Sequence, residues 1–260
     1  MISSLVYLYL IAPLHTGGAT QEGNLLGIAR ESHTTFPYVP SSTVRGRLRA
    51  ATDETVRPRL FGTDLANSEK LEQGDIWIGD ASLLWLPVPS LSHGVVWISC
   101  PMLLERWARL QSSQIEAIEY GTNLPTDKPI YLRDAILKAN ELKRLSNWQE
   151  LIPQGLPTQG IKRVLILPDQ HCATLIQMSL WRQVKIKLDE NKTVDGGFRY
   201  EEAIPPDTVM YFPWGQTSQA SGTRQQSSQD FQDFLTHHSI LQIGGQESLG
   251  RGFVQQWMPS

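Results

Sequence analysis

Cysteine is almost missing from this chain. Its 260 residues hold two, Cys100 and Cys172, far apart and without a CxxC, which excludes a disulfide scaffold and a cysteine zinc site. Buried packing is the expected role of both. Long apolar runs are missing too: the longest, Leu5 to Leu14, is too short to span a bilayer. It also lacks the basic start and the small-residue cleavage site of a signal peptide. The expectation is a soluble, cytoplasmic protein with no membrane partner. Nor is there an excess of one charge. With 23 basic and 26 acidic side chains the net is −3, so any case for nucleic acid must come from local charge. Hydrophobic residues at 40% exclude a wholly disordered chain, and the length allows one large domain or two small ones. Eight Trp serve either core packing or base stacking.

No repeat runs through the chain. Ser4 to Ala12 (SLVYLYLIA) has no polar face and predicts a central strand ended by Pro13. Leu14 to Pro40 turns polar and glycine-rich, predicting a long loop of the kind that is functional or disordered. A helix is expected from about Ser42, with Ser41, Ser42 and Thr43 offering N-cap chemistry. Gly46 inside it suggests close packing or a ligand beside the backbone. Asp75 to Pro87, Gly94 to Cys100 and Lys162 to Leu167 read as strands. Pro101 to Ser113 reads as a helix with proline at its first position. Gln114 to Gly160 looks like an insertion, and Cys172 to Trp181 reads as helical. The segment VKIKLDENKTVDGGFRYEE alternates as a hairpin would. Gln216 to Gln229 reads as a mobile loop, and Asp230 to His238 as a short helix before a closing strand, glycine loop and strand. Strands with helices between them, plus long insertions, predict an α+β fold.

Most catalytic and metal patterns fail. IGGQESLGRGFV has the gap of a P-loop from Gly245 to Gly250, but Arg251 and Gly252 stand where Lys and Ser or Thr are needed, and there is no GxGxxG. Four glycines between Gly244 and Gly252 still make a backbone able to lie against a phosphate chain. A glycine-rich hairpin without a ligand is the alternative. Ser248 is not in a GxSxG elbow. His237 and His238 face apart on a helix, and no other histidine has a partner at ligand spacing, so no metal site is expected. Glu201 and Glu202, ahead of Ile204-Pro205-Pro206, read as an exposed turn. Asp80 is the lone acid of a strand expected to be buried, where it would tie down a turn.

A basic constellation remains. Arg45 and Arg49 lie one turn apart on one helix face behind three hydroxyl residues, with Arg47 pointing elsewhere. From Arg30 to Arg59 six Arg oppose Glu31, Asp53 and Glu54, a local +3 in a chain that is −3 overall. Hydroxyls and arginines at a helix start suit a phosphodiester, although a solvated helix face is equally compatible. His15, beside Gly17 and Gly18, could act on RNA as acid or base, or donate to a phosphate; a packing role is the alternative.

Taken in order, these pieces resemble one family along nearly the whole chain. The N-terminal strand followed by HTGGATQEGNLLGIARESHTTFPYVPSSTVRGRLR resembles the opening of the RAMP proteins of CRISPR effector complexes, and is similar to the backbone subunit of type III-B complexes. LFG at Leu60, GDASLLWLPVPS at Gly79, GVVWISCP at Gly94, KIKLDENKTVDGGFRYEEAIPPDTVMY at Lys185 and the closing LQIGGQESLGRG follow in the same order. The resemblance implies one RAMP domain over residues 1–260. It would have a ferredoxin-like (RRM-like) palm, a finger insertion at about 114–160 and a thumb hairpin at about 183–205. It further implies several copies stacked along a guide RNA that pairs with a complementary target RNA, beside other effector subunits. The guide backbone would be held at His15, Gly17, Gly18, Arg30, Ser41, Ser42, Thr43, Arg45, Arg49, Gly244, Gly245, Gly250, Arg251 and Gly252. No cofactor is needed for such binding. Active members of the family carry an aspartate a few residues before the Arg-Glu pair, supporting metal-dependent cleavage of the target. Counting back from Arg30-Glu31, that place falls at Leu25, and no Asp occurs between Met1 and Ala50. Glu22 is the only acid ahead of that pair. The expectation is a subunit that positions target RNA without cutting it, with Mg2+ relevant only if cleavage is retained. The alternative is a metal-dependent endoribonuclease using Glu22 or an acid elsewhere.

Overall fold

The computed structural model describes residues 2–22, 25–63, 72–191 and 193–259. The first half runs β1 (Ile2–Leu10), β2 (Gly17–Glu22), β3 (Leu25–Ile28), β4 (Tyr38–Val39), α1 (Ser41–Ala51), α2 (Arg57–Phe61), β5 (Ile76–Ile78), β6 (Ala81–Ser90), β7 (Gly94–Ser99) and α3 (Pro101–Leu110). Short strands β8 (Gly121–Thr122), β9 (Ile130–Tyr131), β10 (Ile136–Leu137) and β11 (Lys143–Arg144) then mix with 3-10 turns. The rest comprises β12 (Val164–Ile166), α4 (Asp169–Ser179), β13 (Trp181–Leu188), β14 (Val194–Ala203), β15 (Val209–Gln216), α5 (Arg224–His237), β16 (Ile240–Gln242) and β17 (Phe253–Trp257). The fold is α+β. Among the described residues no helix is long and apolar enough to cross a membrane.

β1 sits inside a large mixed sheet of order β11-β8-β12-β7-β6-β15-β1-β17-β16, antiparallel to β15 and β17 on its two sides. Both faces of the sheet are covered, which is why β1 has no polar face. Val6, Leu8 and Leu10 pack with Val44 and Leu48 of α1 and with α4 and α5, while Leu5 and Tyr7 pack with Leu104 and Trp107 of α3. Cys100 and Cys172 are both buried.

Several expectations need correction. The polar stretch after Pro13 is not all loop: β2 and β3 pair as a hairpin, and β4 pairs with β6. Residues 75–87 form two strands, broken at Gly79 and Asp80, and Asp80 is exposed rather than buried. The fourth helix starts at Asp169 and ends at Ser179, so Trp181 begins a strand. The expected mobile loop at 216–229 instead holds the end of β15, a 3-10 turn at Ser218–Ser221 and, from Arg224, the start of α5. Its Ser and Gln content conceals a buried stripe of Ser227, Phe231, Phe234 and Leu235. Asp75 accepts hydrogen bonds from Thr223 (2.5 Å) and Ser227 (2.6 Å), and Asp230 pairs with Arg59, which fixes that helix against α2.

The hairpin is present as β13 and β14, with Val184 opposite Tyr200 and Ile186 opposite Phe198. β14 also pairs in parallel with β3, so a four-stranded sheet β13-β14-β3-β2 stands beside the main one.

Candidate nucleic-acid interface

Two loops distant in sequence are locked together by main-chain bonds. Gly245 N–H donates to the carbonyl of His15 (3.0 Å), Gly252 N–H to that of Pro13 (2.9 Å), and Ile243 N–H to that of Gly252 (2.8 Å). The contact needs glycine. At Gly244 (φ +82°) a Cβ would lie 2.4 Å from the His15 carbonyl oxygen, and at Gly252 (φ +76°) 2.0 Å from that of Ile243. Gly250 (φ +72°) turns the loop in open space.

This pairing opens a groove of about 450 Å³. Gly17 lines it from β2, Gly244 and Gly245 from the C-terminal loop, and Ser42, Thr43, Gly46 and Arg47 from α1. Three segments read separately as phosphate-compatible thus meet at one place. Gly18 follows Gly17 in β2.

The start of α1 differs from the expectation. Its N-cap is Pro40, and no side chain caps it from within the segment. Asp80 supplies the cap from the break between β5 and β6, its Oδ1 accepting Ser41 N–H at 2.6 Å. Ser42 and Thr43 line the groove, and neither hydroxyl caps the helix.

The arginines are distributed differently as well. Arg45 donates to the Phe61 carbonyl (2.5 Å) with its guanidinium 5.8 Å from the Phe61 ring centre. Burial, together with the charge of nearby Arg49, pushes its pKa down. The residue that enters the groove is Arg47, set aside in the sequence reading; its Nε is buried and makes no hydrogen bond. Arg251 is buried rather than exposed along the loop. It donates to Glu201 (3.2 Å), Gln246 (2.5 Å) and Gln183 (2.6 Å), and stacks 4.4 Å over the Trp181 ring.

Sequence reasoning missed Glu201 and Glu202. Both are wholly buried in β14, not exposed in a turn. Being adjacent in a strand, they face opposite ways. Glu201 meets Lys185 (2.8 Å), Arg199 (2.9 Å) and Arg251, while Glu202 meets Arg182 (3.1 Å) and Arg30. Arg30 also donates to Gln177 (3.0 Å) and to the Ile28 carbonyl (3.1 Å). A signal existed in the hairpin register, which puts Arg182 directly opposite Glu202.

His15 is buried, and its Nδ1 lies 2.7 Å from the Glu202 carbonyl oxygen. A carbonyl only accepts, so Nδ1 carries the proton and Nε2 of the neutral ring is an acceptor. Donation from Nε2 to a phosphate requires the protonated ring. Leu25 opens β3, opposite Glu22 on one side and Tyr200 on the other. Asn24 and the Glu22 side chain lie outside the described residues.

The α+β sheet, the glycine-rich loop folded onto the first loop and the basic groove beside them define a protein of the RAMP type. The chain matches the RAMP superfamily over residues 7–255, and it belongs to that family. It is similar to the CRISPR system Cmr endoribonuclease Cmr4 of Pyrococcus furiosus, at 28% identity over 98% of this chain and 95% of the relative. Its fold is similar to that of oligomeric Cmr4 from Pyrococcus furiosus (TM-score 0.73, 24% identity, 100% of this chain and 98% of the other). It is also similar to a chain of the type III-B Cmr-beta complex bound to cognate target RNA (TM-score 0.78, 21% identity, 98% and 96%).

Proposed function

We propose that this chain is a guide-RNA-binding backbone subunit of a type III-B CRISPR effector. Several copies stack along one guide and position complementary target RNA, together with other subunits of the complex. The observation that carries the reading is the groove: Gly17, Ser42, Thr43, Arg47, Gly244 and Gly245 come from three segments to make one cationic, glycine-walled channel. Contacts of that kind address the backbone and accept any guide sequence, as a protein that leaves specificity to base pairing requires. The similarity to oligomeric Cmr4, and to a complex whose description includes cognate target RNA, supports repeated copies on RNA.

In this reading residues 1–260 form one domain. The main sheet with its helices is a ferredoxin-like (RRM-like) palm, residues 114–160 are a finger, and β13 and β14 are a thumb. Support comes from β1 lying central with helices on both faces, and from the separate small sheet of the hairpin. The site of action is the cytoplasm, where guide and target meet.

The subunit holds its target without cutting it. A divalent cation needs a carboxylate where the family resemblance places an aspartate, and the Leu25 side chain carries no oxygen. The description of the Pyrococcus relative as an endoribonuclease favours the second reading, cleavage with Mg2+ through Glu22. The assembled guide complex with labelled complementary RNA and Mg2+ separates the two. Tight binding without cuts is the expected result. A regular ladder of products, lost in Glu22→Ala, would establish the endonuclease instead. Absence of target binding would overturn the guide-complex reading itself.

A further inference from the structure

The two cysteines, unconnected by their spacing in the sequence, meet in the core. Each stands at the start of a helix that follows a strand, and the two strands are parallel neighbours. β7 and β12 pair with Ser99 beside Ile166, and Leu167 N–H donates to the Ser99 carbonyl (2.9 Å). Cys100 comes next in the chain and is the N-cap of α3. Across from it Pro168 is the N-cap of α4, and its carbonyl accepts the N–H of Cys172 (2.9 Å). Asp169 Oδ1 accepts the Met102 N–H (3.0 Å), so the two helix starts are fixed to each other. The Cys172 thiol is hydrogen-bonded to that of Cys100, and both residues are wholly buried.

Packing alone asks for a small apolar side chain at each place and gives no reason for two thiols to touch. Adjacent strands lie about 4.8 Å apart, and bridged cysteines have Cα atoms about 4.4–6.8 Å apart, so neighbouring β-strand–helix units suit a disulfide. Burial, with Cys100 alongside, pushes the Cys172 thiol up, which keeps the resting pair reduced and unreactive. Its shield is one helical turn: Gln170 and His171 are exposed, and Pro168 and Asp169 are half-buried. The end of a helix opens more readily than its middle.

We infer that Cys100 and Cys172 form a latent intramolecular disulfide, closed by a hydroperoxide when the first turn of α4 opens. The Cys172 thiolate attacks one peroxide oxygen and breaks the O–O bond. A sulfenic acid forms on Cys172, and the other oxygen leaves as water with hydrogen peroxide, or as an alcohol with an organic peroxide. The Cys100 sulfur then attacks the sulfenic sulfur, and the hydroxyl leaves as water with the Cys100 proton. The two sulfurs are oxidised by two electrons in all, and the peroxide is reduced by the same two. The new bond closes residues 100–172 into one covalent loop holding α3, the 114–160 segment and β12. It pins both roots of that segment and restricts the unfolded chain. Where thiols are kept reduced, such a pair responds to oxidant and is no part of the resting scaffold. The inference does not depend on RNA binding.

The test uses the full-length protein, reduced, freed of reductant and exposed to graded hydrogen peroxide. After the peroxide is removed, free thiols are alkylated in denaturant and read by peptide mapping. The expected result is joint loss of both alkylation sites, a peptide joining Cys100 to Cys172, and return of both thiols with dithiothreitol. Oxidised wild type should unfold at a higher urea midpoint than reduced wild type, and Cys100→Ala should show no such difference. In Cys100→Ala, Cys172 should accumulate as sulfenic or sulfinic acid, because no second thiol resolves it. Met178, which is exposed, reports the oxidant dose. The inference falls if both thiols remain alkylatable at peroxide levels that oxidise Met178. It falls equally if wild type gives sulfinic acid without the joined peptide, or a bridge between two chains. The decisive readout comes from wild type, so poor folding of a core variant leaves it intact.

Discussion

Arg30, just past the end of β3, closes its guanidinium on the carboxylate of Glu202, 172 residues further along the chain. The carboxylate is wholly buried, Arg182 approaches it from across the hairpin at 3.1 Å, and the Glu202 main-chain carbonyl accepts a hydrogen bond from His15 Nδ1. One residue of the hairpin base therefore ties the first loop to the small sheet. Its neighbour Glu201 does the same for the C-terminal loop through Arg251.

Glu202→Ala strands two guanidinium groups beside a buried gap. Loss of one partner of a fully buried pair costs about 3–5 kcal/mol. Arg30 and Arg182 keep part of their hydration, so about 2–3 kcal/mol is expected here. Urea unfolding should show the lower midpoint, with a smaller loss in Glu202→Gln. An unchanged midpoint in Glu202→Ala would mean that the pair contributes nothing.

Acid should loosen the same region. Burial pushes the Glu201 carboxyl up, but hydrogen bonds from Lys185 and Gln246 and the charge of Arg199 outweigh it and hold the group below the usual glutamate range. At Glu31, burial is likewise outweighed by Arg106 and Thr34. A depressed folded pKa contributes stability that is fully present above the unfolded value, about 4.3, and is lost as pH falls through the folded one. Unfolding midpoints should be nearly flat from neutral pH to about 5 and drop below about 4.3, where the carboxylates take up protons. The gap between wild type and Glu201→Gln should narrow as pH approaches about 3.

The loop glycines should rank by what surrounds them. Gly250→Ala meets only the cost of a left-handed backbone, about 1–2 kcal/mol, because no atom lies near its Cβ. Gly244→Ala and Gly252→Ala add collisions with carbonyl oxygens at 2.4 and 2.0 Å and should lose more. Thermal melts of the three variants give the order; Gly250 as the most damaging site would contradict the loop geometry.

The cap of α1 is separable from its groove. Asp80→Ala should cost about 1 kcal/mol, as loss of an N-cap does. Ser42→Ala and Thr43→Ala should stay within about 0.5 kcal/mol of wild type, since neither hydroxyl caps the helix. Equal losses in all three, measured by denaturant unfolding, would restore the hydroxyls to the capping role expected from their position.

Local chemistry alone was enough to place much of this protein. The apolar run at β1, proline at the first turn of α3, the alternation of β13 and β14 and the glycine spacing near the C-terminus each act over a few residues, so each can be read before folding. The ordered motifs were sufficient for the family. What pattern reading could not reach is decided over long separations. Asp80 caps a helix 39 residues before it, and α5 is helical because a Phe231 stripe finds Trp214 and Phe61 to bury against. Glu201 and Glu202 look like surface acids until five cations from β13, β14 and the two loops close over them. Which of three neighbouring arginines faces the groove depends on where α2 presents the Phe61 carbonyl. Hydrophobic period and turn chemistry are properties of neighbours in the chain, whereas charge pairing and the direction of a guanidinium belong to neighbours in space.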